Sequence, residues 1–133
     1  MGAFKGKLVK IFIVDDSELD RKLLIATLQK SGVTNEFLQA DDGKMALEIL
    51  EAESGHICLM FLDWQLPKID GLEILKRVAR NPKTQSLSVI MLTSAKSPDS
   101  EEIAQMLNPN LKAFIMKPIE PAKVIEIALP HIK

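Results

Sequence analysis

The chain has 133 residues, 47% of them hydrophobic and 26% charged, a size and balance suited to one folded domain with its own core. With 17 basic and 18 acidic residues the formal charge is −1, so neither a nucleic acid nor an anionic membrane surface is indicated as a partner. The longest apolar runs, such as Ile57–Leu62, fall far short of the roughly 20 residues that span a bilayer.

The opening residues, Met1 to Gly6, lack an apolar stretch of signal-peptide length, and Gly6 stands where a myristoylation signal wants Ser or Thr. Residues 1–6 are expected to be a flexible N-terminus ahead of a core of about 8–132. Short apolar runs then alternate with helical patterns. The runs are Val9–Val14, Glu36–Ala40, Ile57–Leu62, Leu87–Leu92 and Ala113–Met116. Three are nearly continuous in Ile, Val, Leu, Phe and Met, as strands of a parallel sheet buried on both faces should be.

After the first run, Leu19, Leu23, Leu24, Ala26, Thr27 and Leu28 predict the stripe of a first helix, with Ser17 and Asp20 as a capping box and Gly32 as the stop. A second helix is predicted from about Lys44 to Ala52, with Met45, Ala46, Ile49 and Leu50 inward. A third begins near Asp70 and ends before Asn81-Pro82. A fourth lies between Pro98 and Leu107, and a fifth runs from about Pro121 to Ile132, interrupted by Pro130. Cys58, the single cysteine, has no partner for an internal disulfide and reads as a small buried hydrophobe. The six methionines read as core filler. A cytoplasmic protein fits these features.

Five βα units with short connections predict an α/β fold, a doubly wound parallel sheet of order 2-1-3-4-5 with right-handed crossovers. Ligands of such sheets bind beyond the carboxyl ends of the strands, where the strand order reverses. In that order Asp15, Asp16 and Asp63 converge at one crevice. Three clustered carboxylates repel, and a hard cation such as Mg²⁺ relieves the repulsion through oxygen ligands. One carboxylate, Asp63, could then attack phosphorus, while Thr93 and Lys117 at the ends of the fourth and fifth strands bind phosphoryl oxygens.

The segments Ile11-Phe12-Ile13-Val14-Asp15-Asp16, Asp41-Asp42-Gly43, Leu62-Asp63-Trp64-Gln65-Leu66-Pro67, Asp70-Gly71-Leu72, Met91-Leu92-Thr93-Ser94 and Met116-Lys117-Pro118 occur in one order over nearly the whole chain. Together they resemble the response-regulator receiver family of two-component signalling, which has a flavodoxin-like (βα)5 fold. The resemblance implies Asp63 as phosphoacceptor and Asp15, Asp16, Asp63 and the Gln65 backbone carbonyl as ligands of Mg²⁺, for which Mn²⁺ could substitute. It implies Thr93 as switch hydroxyl, Lys117 as phosphate-binding lysine, Phe114 as rotating switch aromatic and a cis Lys117–Pro118 bond. The implied activity is that of a signalling phosphoacceptor rather than a turnover enzyme. A histidine kinase or histidine phosphotransfer protein supplies the phosphoryl group and a downstream protein reads the face of helix four, strand five and helix five. The implied state is a monomer or a weak phosphorylation-linked dimer.

Two segments depart from the family pattern. Asn108-Pro109-Asn110-Leu111-Lys112-Ala113 replaces a common Gly-Ala pair before the fifth strand, and the switch aromatic is Phe, which has no hydroxyl to donate. His56 and His131 are expected outside the site, and Trp64 half-exposed above it. Gln65 and Ala95 are the positions expected to set the lifetime of the phosphorylated state.

Overall fold

A computed structural model describes residues 10–94 and 98–132. The expectations for Val9, the Met1–Gly6 start and Ala95 lie outside the described residues. The chain forms β1 (Lys10–Val14), α1 (Glu18–Lys30), β2 (Glu36–Ala40), α2 (Gly43–Glu53), β3 (Ile57–Asp63), α3 (Gly71–Arg80), β4 (Ser88–Thr93), α4 (Pro98–Leu107), β5 (Leu111–Met116) and α5 (Pro121–Ala128). Short 3-10 turns at Ser54–His56 and Leu129–His131 precede β3 and follow α5. All strand pairs are parallel, in the order β2-β1-β3-β4-β5.

Alternation along the strands divides the core into two layers, because successive side chains point to opposite faces. Phe12, Val14, Met60, Leu62, Val89 and Met91 face Ala46 and Leu50 of α2, Ile74, Leu75 and Val78 of α3, and Ala104 of α4. Ile11, Ile13, Leu59, Phe61, Ile90 and Leu92 face Leu24 and Leu28 of α1 and Val124 and Ala128 of α5. Both faces of the central strands are therefore covered, which is why their sequences are apolar without interruption. Truncating a side chain as enclosed as Phe61 to Ala is worth about 3–5 kcal/mol of stability.

Several boundaries and orientations differ from the sequence reading. β3 runs one residue further, through Asp63, and β4 starts at Ser88 rather than Leu87. β5 starts two residues early, at Leu111. There the buried Asn108 side chain donates to the Leu75 carbonyl at 3.1 Å and accepts from the Asn110 N–H at 2.8 Å, closing the turn out of α4. α5 ends at Ala128, two residues before Pro130, and the chain continues as a 3-10 turn.

In α1 two apolar stripes overlap, one carrying Leu19, Leu23 and Ala26 and the other Leu24, Thr27 and Leu28. Only the second is buried; Leu19 is 75% exposed. The inward stripe extends back by one turn to Asp20, four residues before Leu24. Met45 likewise turns outward on α2, one residue from the buried Ala46. Met106 and Met116 are exposed too, so only Met60 and Met91 serve as enclosed core among the described methionines. Gly32 follows the end of α1 with φ of 102°, a left-handed conformation that glycine adopts without strain.

Candidate functional site

The sheet register sets four predicted residues side by side. Val14 pairs with Leu62, Asp63 with Leu92, and Thr93 with Met116, so Asp15, Asp63, Thr93 and Lys117 all emerge at the carboxyl rim. Backbone bonds continue past the strands: Asp15 N–H to the Ala40 carbonyl at 3.0 Å, Trp64 N–H to Leu92 at 2.9 Å and Lys117 N–H to Thr93 at 2.7 Å. The Lys117–Pro118 peptide is cis. Gln65 lies in the loop after β3, exposed. That loop is tied by the Gly71 N–H to the Trp64 carbonyl at 3.0 Å. A Cβ at Gly71 would run into the carbonyl oxygen of Asp63, so glycine is required for α3 to start this close to the site.

Carboxylate oxygens of Asp15, Asp16 and Asp63 lie within 4.8 Å of one another; Asp15 and Asp63 are buried and Asp16 is exposed. Asp15 Oδ1 accepts the Ser17 N–H at 2.9 Å. Asp15 Oδ2 is buried and pairs with Lys117 Nζ at 2.8 Å. Burial, then the neighbouring Asp15 charge, push the Asp63 carboxyl up to about 7 against the pull of Lys117. Desolvation disfavours the Lys117 ammonium, but its bonds to Asp15 and Asp20 outweigh that and hold it above the ordinary lysine range.

A hard divalent cation fits this donor set. It needs oxygen ligands, an open side for water and charge to neutralise. The cluster offers three carboxylates, two of them buried, and solvent access beside Asp16 and Gln65.

Phe114, half-buried on β5, sits against the half-buried Trp64 with ring centroids 6.2 Å apart and planes inclined by 35°, so the residue after Asp63 touches the predicted switch position. The histidines lie elsewhere. His56 precedes β3 at the end opposite Asp63, with Nδ1 3.4 Å from Glu53 Oε1. His131 lines a cavity of about 460 Å³ at the amino ends of the strands, with Cys58, Lys83 and Lys112. Its lining holds no carboxylate, and the convergent chemistry is at the other end of the sheet.

Two residues of the rim were missed as site residues. Asp20 accepts the Lys117 ammonium through Oδ2 at 2.9 Å, while only half of the expected capping box forms, Ser17 Oγ accepting the Asp20 N–H at 3.2 Å. Arg21 donates to the Asp15 carbonyl at 2.6 Å and to Gln39 Oε1 at 2.9 Å, which fixes the end of β1 against α1 and β2. The signal for Asp20 was its place on the buried stripe of α1, where a carboxylate needs a partner.

A doubly wound α/β domain with an acidic pocket at its topological switch point is thereby defined. Residues 11–129 match the response regulator receiver domain, and the chain belongs to that family. A two-component response regulator of rice (Oryza sativa subsp. japonica), ORR7, is 29% identical over 88% of this chain and 53% of its own length, so the chain spans about half of that relative. The bacteriophytochrome response regulator RtBRR is 30% identical with a TM-score of 0.78, covering 90% of this chain and 75% of its own. The Mn²⁺-bound form of response regulator Rcp1 is 25% identical with a TM-score of 0.75, over 88% of this chain and 86% of its own. Among the described residues no helix is long and apolar enough to cross a membrane.

Proposed function

We propose that the chain is a single receiver domain, core about 8–132, that takes a phosphoryl group on Asp63 from a histidine kinase or histidine phosphotransfer protein. The carrying observation is the grouping of three carboxylates within 4.8 Å beside an ammonium that reaches both buried ones. In the transfer an Asp63 oxygen attacks phosphorus, the phosphorus–nitrogen bond of the donor breaks, and the donor imidazole leaves with the electron pair.

Asp63 attacks as the carboxylate, and burial and the Asp15 charge raise its affinity for a proton against that role. Mg²⁺, or Mn²⁺ in its place, would supply positive charge that favours the ionised carboxylate and offsets charge on the phosphoryl group. Asp15, Asp16, Asp63 and the Gln65 carbonyl are the groups that would hold it. The Lys117 ammonium and the Thr93 hydroxyl bind the other oxygens.

The new dianion then draws Thr93 inward and Phe114 follows, changing the face of α4, β5 and α5 that a downstream protein reads. The contact of Phe114 with Trp64 supports this route. The chain thus acts as a signalling acceptor in a two-component or phosphorelay pathway, not as a turnover enzyme.

The test is Trp64 fluorescence during titration with Mg²⁺ and then acetyl phosphate, with mass spectrometry of the product. A saturable, Mg²⁺-dependent change and one phosphoryl adduct are expected, both lost in Asp63→Asn. Labelling of the Asp63→Asn protein would refute the acceptor assignment.

A further inference from the structure

Lys117 is shared unevenly. Its Nζ lies 2.8 Å from Asp15 Oδ2 and 2.9 Å from Asp20 Oδ2, but 3.4 Å from Asp63 Oδ2. The ammonium thus sits closer to Asp15 and to Asp20 of α1 than to the acceptor, to which it still donates at the longer distance. Asp20 is set apart from the other two carboxylates, since it falls outside the close group of Asp15, Asp16 and Asp63. A cation held by Asp15, Asp16 and Asp63 would leave Asp20 as the carboxylate still able to hold Lys117. The side chains of Lys117 and Asp20 are only 16% and 24% exposed, so solvent screens this pair little.

We propose that Asp20 is a positioning residue: it tethers Lys117 on the α1 side of the pocket and competes with the phosphoryl group for that ammonium. The proposal rests on the phosphoacceptor reading above. A phosphoryl group arriving on Asp63 brings oxygens that need the Lys117 donors. Each donor engaged with Asp20 is unavailable to them, and the Asp20 charge repels the incoming dianion as well. Asp20 then favours the unphosphorylated state, and the chain needs a stronger donor or tighter partner to populate the other. Its position on the first turn of α1 couples this balance to the helix that carries the exposed Leu19 and Leu23.

The probe is beryllofluoride, a phosphoryl mimic, titrated under saturating Mg²⁺ with Trp64 fluorescence as readout. Asp20→Asn should bind it about three- to tenfold more tightly, the range of a coupled, half-buried charge pair. The gain should shrink in a Lys117→Gln background, where no ammonium is left to release and only the direct repulsion by Asp20 is relieved. Asp20→Glu, which keeps the charge, should stay within about twofold of the parent. Thermal melts establish that each variant is folded. Unchanged or weaker binding by Asp20→Asn, or an equal gain in both backgrounds, would overturn the tether. Absence of any beryllofluoride response in the parent protein would instead overturn the phosphoacceptor reading itself.

Discussion

Replacing Asp63 by Asn should stabilise the fold in the absence of divalent cations, even though it removes the group on which the proposed chemistry depends. The Asp63 carboxyl is raised from 3.8 to about 7 by burial and by Asp15. Between those values the folded chain keeps a proton that the unfolded chain gives up, so parent stability falls as pH rises through this window. A shift of about three units corresponds to at most about 4 kcal/mol at pH 8. Lys117 relaxes toward whichever carboxylate is ionised, and Asn keeps the shape of the side chain, so about 1–2 kcal/mol is the working expectation.

For a chain of this size that is a rise in Tm of roughly 3–8 °C. The assay is thermal and urea unfolding of both proteins in chelator at pH 5 and pH 8. The gain should be large at pH 8 and small at pH 5, where the parent Asp63 is mostly protonated. Added Mg²⁺ should close the gap by stabilising the parent through binding to its native state. An Asn variant no more stable than the parent at pH 8, or equally favoured at both pH values, would refute the reasoning.

Asn108→Ala should lose about 1–2 kcal/mol, because it removes the side chain's bond to the Leu75 carbonyl and leaves the Asn110 N–H without its partner; the urea midpoint reads this, and Mg²⁺ affinity should be unchanged. Gly71→Ala should lose about 2 kcal/mol or more and also weaken Mg²⁺ binding. Its Cβ meets the Asp63 and Trp64 carbonyls and must displace the loop that carries Gln65. Equal Mg²⁺ affinity in parent and Gly71→Ala, measured by Trp64 fluorescence, would count against this role of the loop.

Much of this architecture is local in origin and so was legible in the sequence. Apolar runs of strand length, separated by helical patterns and turn residues, specify βα units through backbone periodicity alone. Alternating units in turn permit few topologies. Acidic, hydroxyl and lysine residues directly after the runs then fall at one rim whatever the details of packing, which is why the convergence of Asp15, Asp63, Thr93 and Lys117 follows from their places in the sequence.

The tertiary structure decided what periodicity leaves degenerate. Two stripes of α1 satisfied the same pattern, and packing against the sheet chose the one containing Leu24, Thr27 and Leu28. That choice turned Asp20 inward, within reach of Lys117 from a strand 97 residues later in the chain. Asn108 likewise gained its role only when α3 brought the Leu75 carbonyl within reach across the layer. Such contacts join residues remote in sequence, and their energies depend on burial and direction, which exist only once the layers have packed.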